Sequence, residues 1–130
     1  MIFGIGTDLV AQQRIAASLA RFGDRFVRRI LTGRELAQLQ AKPRGDAQVV
    51  RFLAQRFAAK EAFSKALGTG IKQGFGWHDA GINNEPSGKP VLHVSAALQT
   101  RLSGLGIAGM QVSLSDEAGL TIAVVILEKA

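Results

Sequence analysis

The sequence predicts an α+β fold in a single domain, with an antiparallel β-sheet packed with helices, and three observations carry that prediction. Apolar residues recur at helical spacing through most of residues 10–67. Extended apolar runs lie instead toward the two ends, at residues 2–6, 110–115 and 120–128, the last two reading as a hairpin. No repeat, low-complexity tract or linker divides the 130 residues, a length that buries about two thirds of the unfolded surface.

Residues 2–6 read as a buried strand that delivers Asp8 into a loop at its end, with Gly4 and Gly6 allowing close backbone approach. From residue 10 to residue 31 the pattern turns helical, and Ile15, Leu19, Phe22, Phe26 and Ile30 fall within a narrow arc. Gly23 followed by Asp24, a good N-cap residue, marks a place for this stretch to divide into two helices. Arg14, Arg21, Arg25 and Arg28 share the opposite side, with Arg29 at its margin. Solvated faces usually mix charge signs, so this stripe reads as a docking surface for an anionic partner. Thr32 and Glu35 have capping-box spacing and open a third helix to about residue 41. Residues 42–46 form a polar loop whose Asp46 is a candidate cap for the next helix.

That next helix, residues 50–67, is the stretch around which the chain is organised. Val50, Ala54 and Phe57 make one apolar stripe with Glu61 in its line, while Phe52, Ala59, Phe63, Ala66 and Leu67 make a second. Gly68, Thr69 and Gly70 close it, with a glycine near the position where the backbone turns left-handed. Residues 72–77 read as a loop, and residues 78–83 and 90–94 as two strands joined by a turn at 85–89. Ser95 is the N-cap of a helix through residue 105 that Gly106 ends. Residues 110–115 and 120–128 make an apolar hairpin, and the last arm, LTIAVVILE, needs cover on both faces. His78 and His93 have no companion at metal-ligand spacing and read as structural.

Composition narrows the function. The absence of cysteine excludes disulfides, thiol nucleophiles and thiolate metal sites. No apolar run approaches the ~20 residues of a membrane span, and the segment before Asp8 is too short for a secretory h-region. The expectation is therefore a soluble, cytoplasmic protein with no membrane partner. The 16 basic against 10 acidic residues, a formal charge of +6, point to an anionic partner or substrate.

Glu61 and Asp8 are the acids whose positions invite a chemical role. A carboxylate in an apolar stripe is costly unless it is paired or binds a cation, and two readings stand for Glu61: an internal pair with Lys65 at i+4, or a cation site. Asp8 reads either as a turn residue or as a second ligand. Two carboxylates are what Mg²⁺ prefers, since it keeps several waters and takes phosphate oxygens from a substrate. Arg56, Lys60 and Lys65 on the same helix suit a phosphate-bearing substrate, so transfer at phosphorus is the chemistry suggested. A glycosidase would need two acids facing across a sugar and would leave the lysines and arginines without a purpose. The alternative from another class is a small basic RNA-binding module, in which the charge would serve a phosphate backbone. Against it stand the lack of tyrosine and the scarcity of aromatics for stacking.

Four segments carry a family resemblance: GIGTDLV at 4–10, RFAAKEAFSKALGTGI at 56–71, SGKP at 87–90 and VSLSDE at 112–117. In these motifs and in the separation between the first two, the chain resembles the small 4′-phosphopantetheinyl transferases of the holo-[acyl-carrier-protein] synthase type. The resemblance implies the 4′-phosphopantetheinyl transferase fold. It also implies an enzyme of fatty acid biosynthesis that moves the phosphopantetheine arm of coenzyme A onto a serine of an apo acyl carrier protein, releasing adenosine 3′,5′-bisphosphate. A homotrimer with active sites between subunits, and no nucleic-acid partner, belong to the same expectation. Residue by residue, it implies that Asp8 and Glu61 hold Mg²⁺ and are catalytic together with Lys65, which neutralises charge on the leaving bisphosphate. Arg56, Lys60, Ser64, Lys65, Gly68, Thr69 and Gly70 would bind coenzyme A, with Lys89 and Pro90 contributing from the SGKP turn. Arg14, Arg21, Arg25, Phe26 and Arg29 would receive the carrier protein. The chain departs from the family at Gln111, where His is usual; glutamine donates a hydrogen bond but cannot shuttle a proton near neutral pH.

Overall fold

The apolar run near the C-terminus becomes the central strand of a three-stranded antiparallel sheet. This is β5 (Leu120–Lys129), flanked by β1 (Ile2–Ala11) and β4 (Ile107–Glu117). The computed structural model of the chain describes residues 1–72 and 74–130. Between β1 and β4 run α1 (Gln12–Phe22), α2 (Asp24–Ile30), α3 (Gly33–Gln40) and α4 (Asp46–Leu67), then the hairpin β2 (Ala80–Asn84) and β3 (Pro90–Val94), and α5 (Ala96–Gly104). The hairpin is a separate two-stranded antiparallel sheet. The α+β class expected from the sequence is the class observed.

Alternation along β5 decides what lies on each face. Thr121, Ala123, Val125 and Leu127 are fully buried beneath α4. Leu120 and Ile122 point the other way and join Ile5 and Leu9 of β1 on an open face, where Ile5 is 56% and Leu9 62% exposed. The two-sided cover expected for this strand is therefore supplied on one side only within the chain.

Helix α4 is buried nearly all round, with Leu53, Ala54, Ala58, Ala62 and Phe63 at 0% exposure. It lies against the backbone of β1. A Cβ at Gly4 would run into the carbonyl oxygen of Ala66, and one at Gly6 into that of Ala62, so only glycine admits this approach.

Several boundaries differ from the sequence expectation. β1 does not end at residue 6: its ladder with β5 continues through Asp8↔Ala123 to Ala11↔Leu120, because β5 offers a partner along its whole length. Asp8 is therefore a strand residue and not a loop residue. The first helix accordingly starts at Gln12 and not at residue 10, and it divides at Gly23, whose φ of 56° is left-handed. Gly23 takes the N-cap of α2, while Asp24 becomes its first residue and pairs with Arg28. α4 begins a turn early, at Asp46, and Gly45 occupies the cap position assigned to Asp46. β2 starts at Ala80, leaving His78 in the preceding turn, and β4 is longer at both ends than expected. The capping box of Thr32 and Glu35, the Ser95 cap and the left-handed Gly68 (φ 90°) form as local chemistry predicts. The loop expected at 72–77 is turn and coil at its described residues, Gln73 lying outside them.

Candidate active site

The contact of β1 with α4 brings Asp8, Glu61 and Lys65 together. Lys65 Nζ donates to Thr7 O at 3.0 Å and to Asp8 Oδ1 at 3.2 Å, with the Asp8 side chain 15% exposed. Of the two readings of Glu61, the internal pair is not the one formed: Lys65 makes its ion pair across to the strand. Glu61 is half-buried, and its carboxyl is pushed above the usual range by burial first and by the charge of Asp8 second, with Lys65 and Arg14 opposing. Two repelling carboxylates are relieved by a shared cation. Among the described residues no group of three or more His, Asp or Glu could hold a metal alone. An incomplete shell of hard oxygen donors fits Mg²⁺, which completes its octahedron with water and substrate phosphate.

One turn and a half before Glu61 on α4, Arg56 is 2% exposed. Its guanidinium lies 3.7 Å from the centre of the Phe52 ring and donates to Gln55 Oε1 at 3.1 Å, Gln38 Oε1 at 3.2 Å and Asn84 Oδ1 at 2.9 Å. Burial lowers its pKa to about 10, Glu35 resisting and Arg44 adding to the shift. It opens onto a cleft of about 610 Å³ whose other cations are Lys42, Arg44 and Arg51, with no acid in the lining. A second cleft of about 380 Å³, lined by Lys89 and Pro90, shares Gln55 and Asn84 with the first. Sequence reasoning singled out Arg56, Lys89 and Pro90 but missed Lys42, Arg44 and Arg51. In the sequence those residues are charges in or beside a polar loop, and they form a cluster only when that loop folds onto α4.

Two residues assigned to nucleotide binding lie in the core. Lys60 is 1% exposed, donates to Glu35 Oε1 at 2.7 Å and also to Ala80 O, so in this structure it does not line a cleft. Ser64 is fully buried, its hydroxyl donating to Glu61 O at 2.7 Å. Helix geometry explains both, because α4 is enclosed by the sheet on one side and by α3 and β2 on the other. Gly68, Thr69 and Gly70 follow Lys65 at the helix end, where the Thr69 hydroxyl donates to Gly70 O. His78 Nε2 donates to Arg28 O at 2.8 Å, and His93 Nε2 lies 3.1 Å from Thr32 Oγ1.

The arginines of the expected stripe, Arg14, Arg21, Arg25, Arg28 and Arg29, are all exposed, Arg28 being paired with Asp24. Between α1 and α2 opens an apolar hollow of about 330 Å³, floored by Ile15, Phe26, Phe57 and Trp77, with Arg14, Arg25 and Arg29 on its lining. Phe57 stacks on Trp77 at 5.0 Å, and the Arg14 guanidinium sits 5.4 Å from the Phe57 ring centre. Arg21 lies instead over Phe22. A cationic rim around an apolar hollow suits a partner that is acidic and amphipathic. Gln111 is exposed and makes a 3.4 Å hydrogen bond to Glu128.

Comparison with known proteins adds to this geometry. A family model described as the 4′-phosphopantetheinyl transferase superfamily matches residues 4–122. The chain is similar to a holo-[acyl-carrier-protein] synthase of Vibrio cholerae, 49% identical over 129 residues that cover 99% of each chain. Its fold is similar to the crystal structure of a holo-[acyl-carrier-protein] synthase from Neisseria meningitidis, with a TM-score of 0.91 and 42% identity over 99% of this chain and 100% of that one. It is also similar to a holo-(acyl-carrier-protein) synthase from Bacillus anthracis, solved in complex with CoA (3′,5′-ADP), with a TM-score of 0.82 and 35% identity over 100% of this chain and 99% of that one.

Proposed function

This chain belongs to the 4′-phosphopantetheinyl transferase superfamily, and from that we propose that it transfers the phosphopantetheine arm of coenzyme A to a serine of an apo acyl carrier protein, in fatty acid biosynthesis. The observation that carries this reading is the meeting of Asp8 with Glu61 and Lys65 of α4, the helix whose earlier residues Arg51, Gln55 and Arg56 line a cleft of cations and neutral groups only. In the reaction the serine oxygen bonds to the phosphorus that bears the pantetheine arm. The bond from that phosphorus to the bridging oxygen breaks, and adenosine 3′,5′-bisphosphate leaves with the electron pair.

Asp8 and Glu61 are the residues that would hold Mg²⁺, which when bound neutralises pyrophosphate charge. Lys65, half-exposed and anchored on Thr7 O and Asp8, meets the charge that builds on the leaving bisphosphate. Arg56, buried and clamped between Phe52, Gln38 and Asn84, braces the cleft wall, and Lys42, Arg44, Arg51 and Lys89 around it meet the nucleotide's phosphates. Pro90 lines the second cleft, and Gly68, Thr69 and Gly70, which close α4 just after Lys65, are assigned to coenzyme A on the family likeness. Gln111 has no titratable group, so the serine's proton leaves to another acceptor. Arg14, Arg21, Arg25, Arg29 and Phe26 form the carrier-protein face, the arginines meeting its acidic surface and the hollow taking an apolar side chain. The open face of Ile5, Leu9 and Ile122 supports a homotrimer in which a neighbouring copy covers the sheet.

The test is incubation with coenzyme A, Mg²⁺ and an apo acyl carrier protein, read by the mass of the carrier. The parent is expected to add one phosphopantetheine, and Glu61→Gln, which keeps shape but removes charge, to lose nearly all transfer with its fold intact. Full activity of Glu61→Gln with unchanged Mg²⁺ dependence would remove Glu61 from the metal site.

A further inference from the structure

We propose that Glu35 is a positioning residue that sets the β2–β3 hairpin against α4 and thereby shapes the coenzyme A cleft, an inference that rests on the function proposed above. Glu35 is 0% exposed, and three groups converge on it, one from the cap of its own helix, one from α4 and one from β2. Oε1 accepts from Thr32 N at 2.9 Å and from Lys60 Nζ at 2.7 Å, while Oε2 accepts from Ile82 N at 2.8 Å. The carboxylate thus does more than close the capping box of α3, for which one acceptor suffices. Lys60 carries the connection onward by donating to Ala80 O, so the pair grips β2 at both Ala80 and Ile82. Gly81 between them leaves room for the network: a Cβ there would strike the His93 ring and crowd the Glu35 carboxyl.

The hairpin so held is a wall of the site. Asn84, two residues beyond Ile82, borders both clefts and accepts from Arg56, and Lys89 and Pro90 come from the same hairpin. Arg56 and Lys60 are one helical turn apart on α4 and so face β2 together, the first at Asn84 and the second at Ala80. A buried ion pair contributes little net stability compared with apolar residues of the same volume. What this one provides is a fixed distance and register between α4 and the hairpin that its Arg56 and Lys60 face.

The experiment compares the parent with Glu35→Gln and with the double variant Glu35→Leu/Lys60→Met, which replaces the pair by apolar groups and leaves no buried charge should the single variant fail to fold. Two readouts are taken: steady-state kinetics for each substrate, and amide hydrogen exchange across the chain. The KM for coenzyme A is expected to rise by about tenfold in the double variant, with kcat and the KM for carrier protein changing by less than about threefold. Amides of β2 and β3 are expected to exchange at least about tenfold faster while those of α4 and β5 keep their protection. A folded double variant with the parent's KM for coenzyme A overturns the proposal, and so does an equal loss toward both substrates. If the parent itself moves no phosphopantetheine, the proposed function fails, and unchanged hairpin exchange would then separately overturn the positioning role.

Discussion

His93 shows how a single residue reports on the interior of this protein. Its ring lies 3.1 Å from the Thr32 hydroxyl, with burial first and Arg34 second pushing its pKa below the ordinary 6.5. A depressed pKa means that the folded chain prefers the neutral ring. The stability this contributes is full above the unfolded value and is lost as pH falls through the folded one. The urea midpoint of the parent is expected to drop between about pH 7.5 and about pH 5, and His93→Gln to flatten part of that drop. Identical profiles for parent and variant would show that His93 carries none of it. The residue scale also holds the clearest mismatch between sequence and structure. Lys65 looks like the natural partner of Glu61 at i+4, yet it reaches across to Asp8, 57 positions away, because Gly6 lets the strand press against the helix.

α1 and α2 act as a pair of elements. Between them, across the bend at Gly23, lies the hollow that Arg14, Arg25 and Arg29 line. Arg14 lies over Phe57, a core ring, and Arg21 over the exposed Phe22, so reversing Arg21 and Arg25 leaves the core contact untouched. Arg21→Glu/Arg25→Glu is expected to lower kcat/KM toward the carrier protein by about 10- to 100-fold and to leave the KM for coenzyme A near its parent value. Raised salt should imitate the change in the parent, since exposed charges are screened beyond about 8 Å at physiological ionic strength. Equal losses toward both substrates would place the stripe at the nucleotide clefts instead.

For the whole molecule, the open sheet face bears on the proposed assembly. Ile5, Leu9, Leu120 and Ile122 are each more than a third exposed, and they adjoin on paired strands, Ile5 opposite Ile126 and Leu9 opposite Ile122. A contiguous apolar surface of this kind is normally covered by a partner. Light scattering at micromolar concentration is expected to return three times the chain mass, and Leu9→Lys to shift it toward the monomer. A monomeric mass in active protein would contradict the trimer.

Much of the local structure was determined by the sequence alone, because its causes lie within a few residues of each other. The Thr32 and Ser95 caps, the left-handed Gly68 and the strand at Pro90–Val94 follow from side-chain size and short-range hydrogen bonding. The motifs around Asp8 and Glu61 were legible for the same reason. Only tertiary structure decided that Asp8 lies within a strand, since the length of β1 depends on the ladder that β5, over a hundred residues later, offers it. It also decided that Lys60 is a core residue paired with Glu35, 25 positions away, and that the charges of a polar loop become one side of a cleft. Such contacts have no local signature. They exist because burying α4 on all sides leaves its interior polar groups to find partners on whichever elements enclose it.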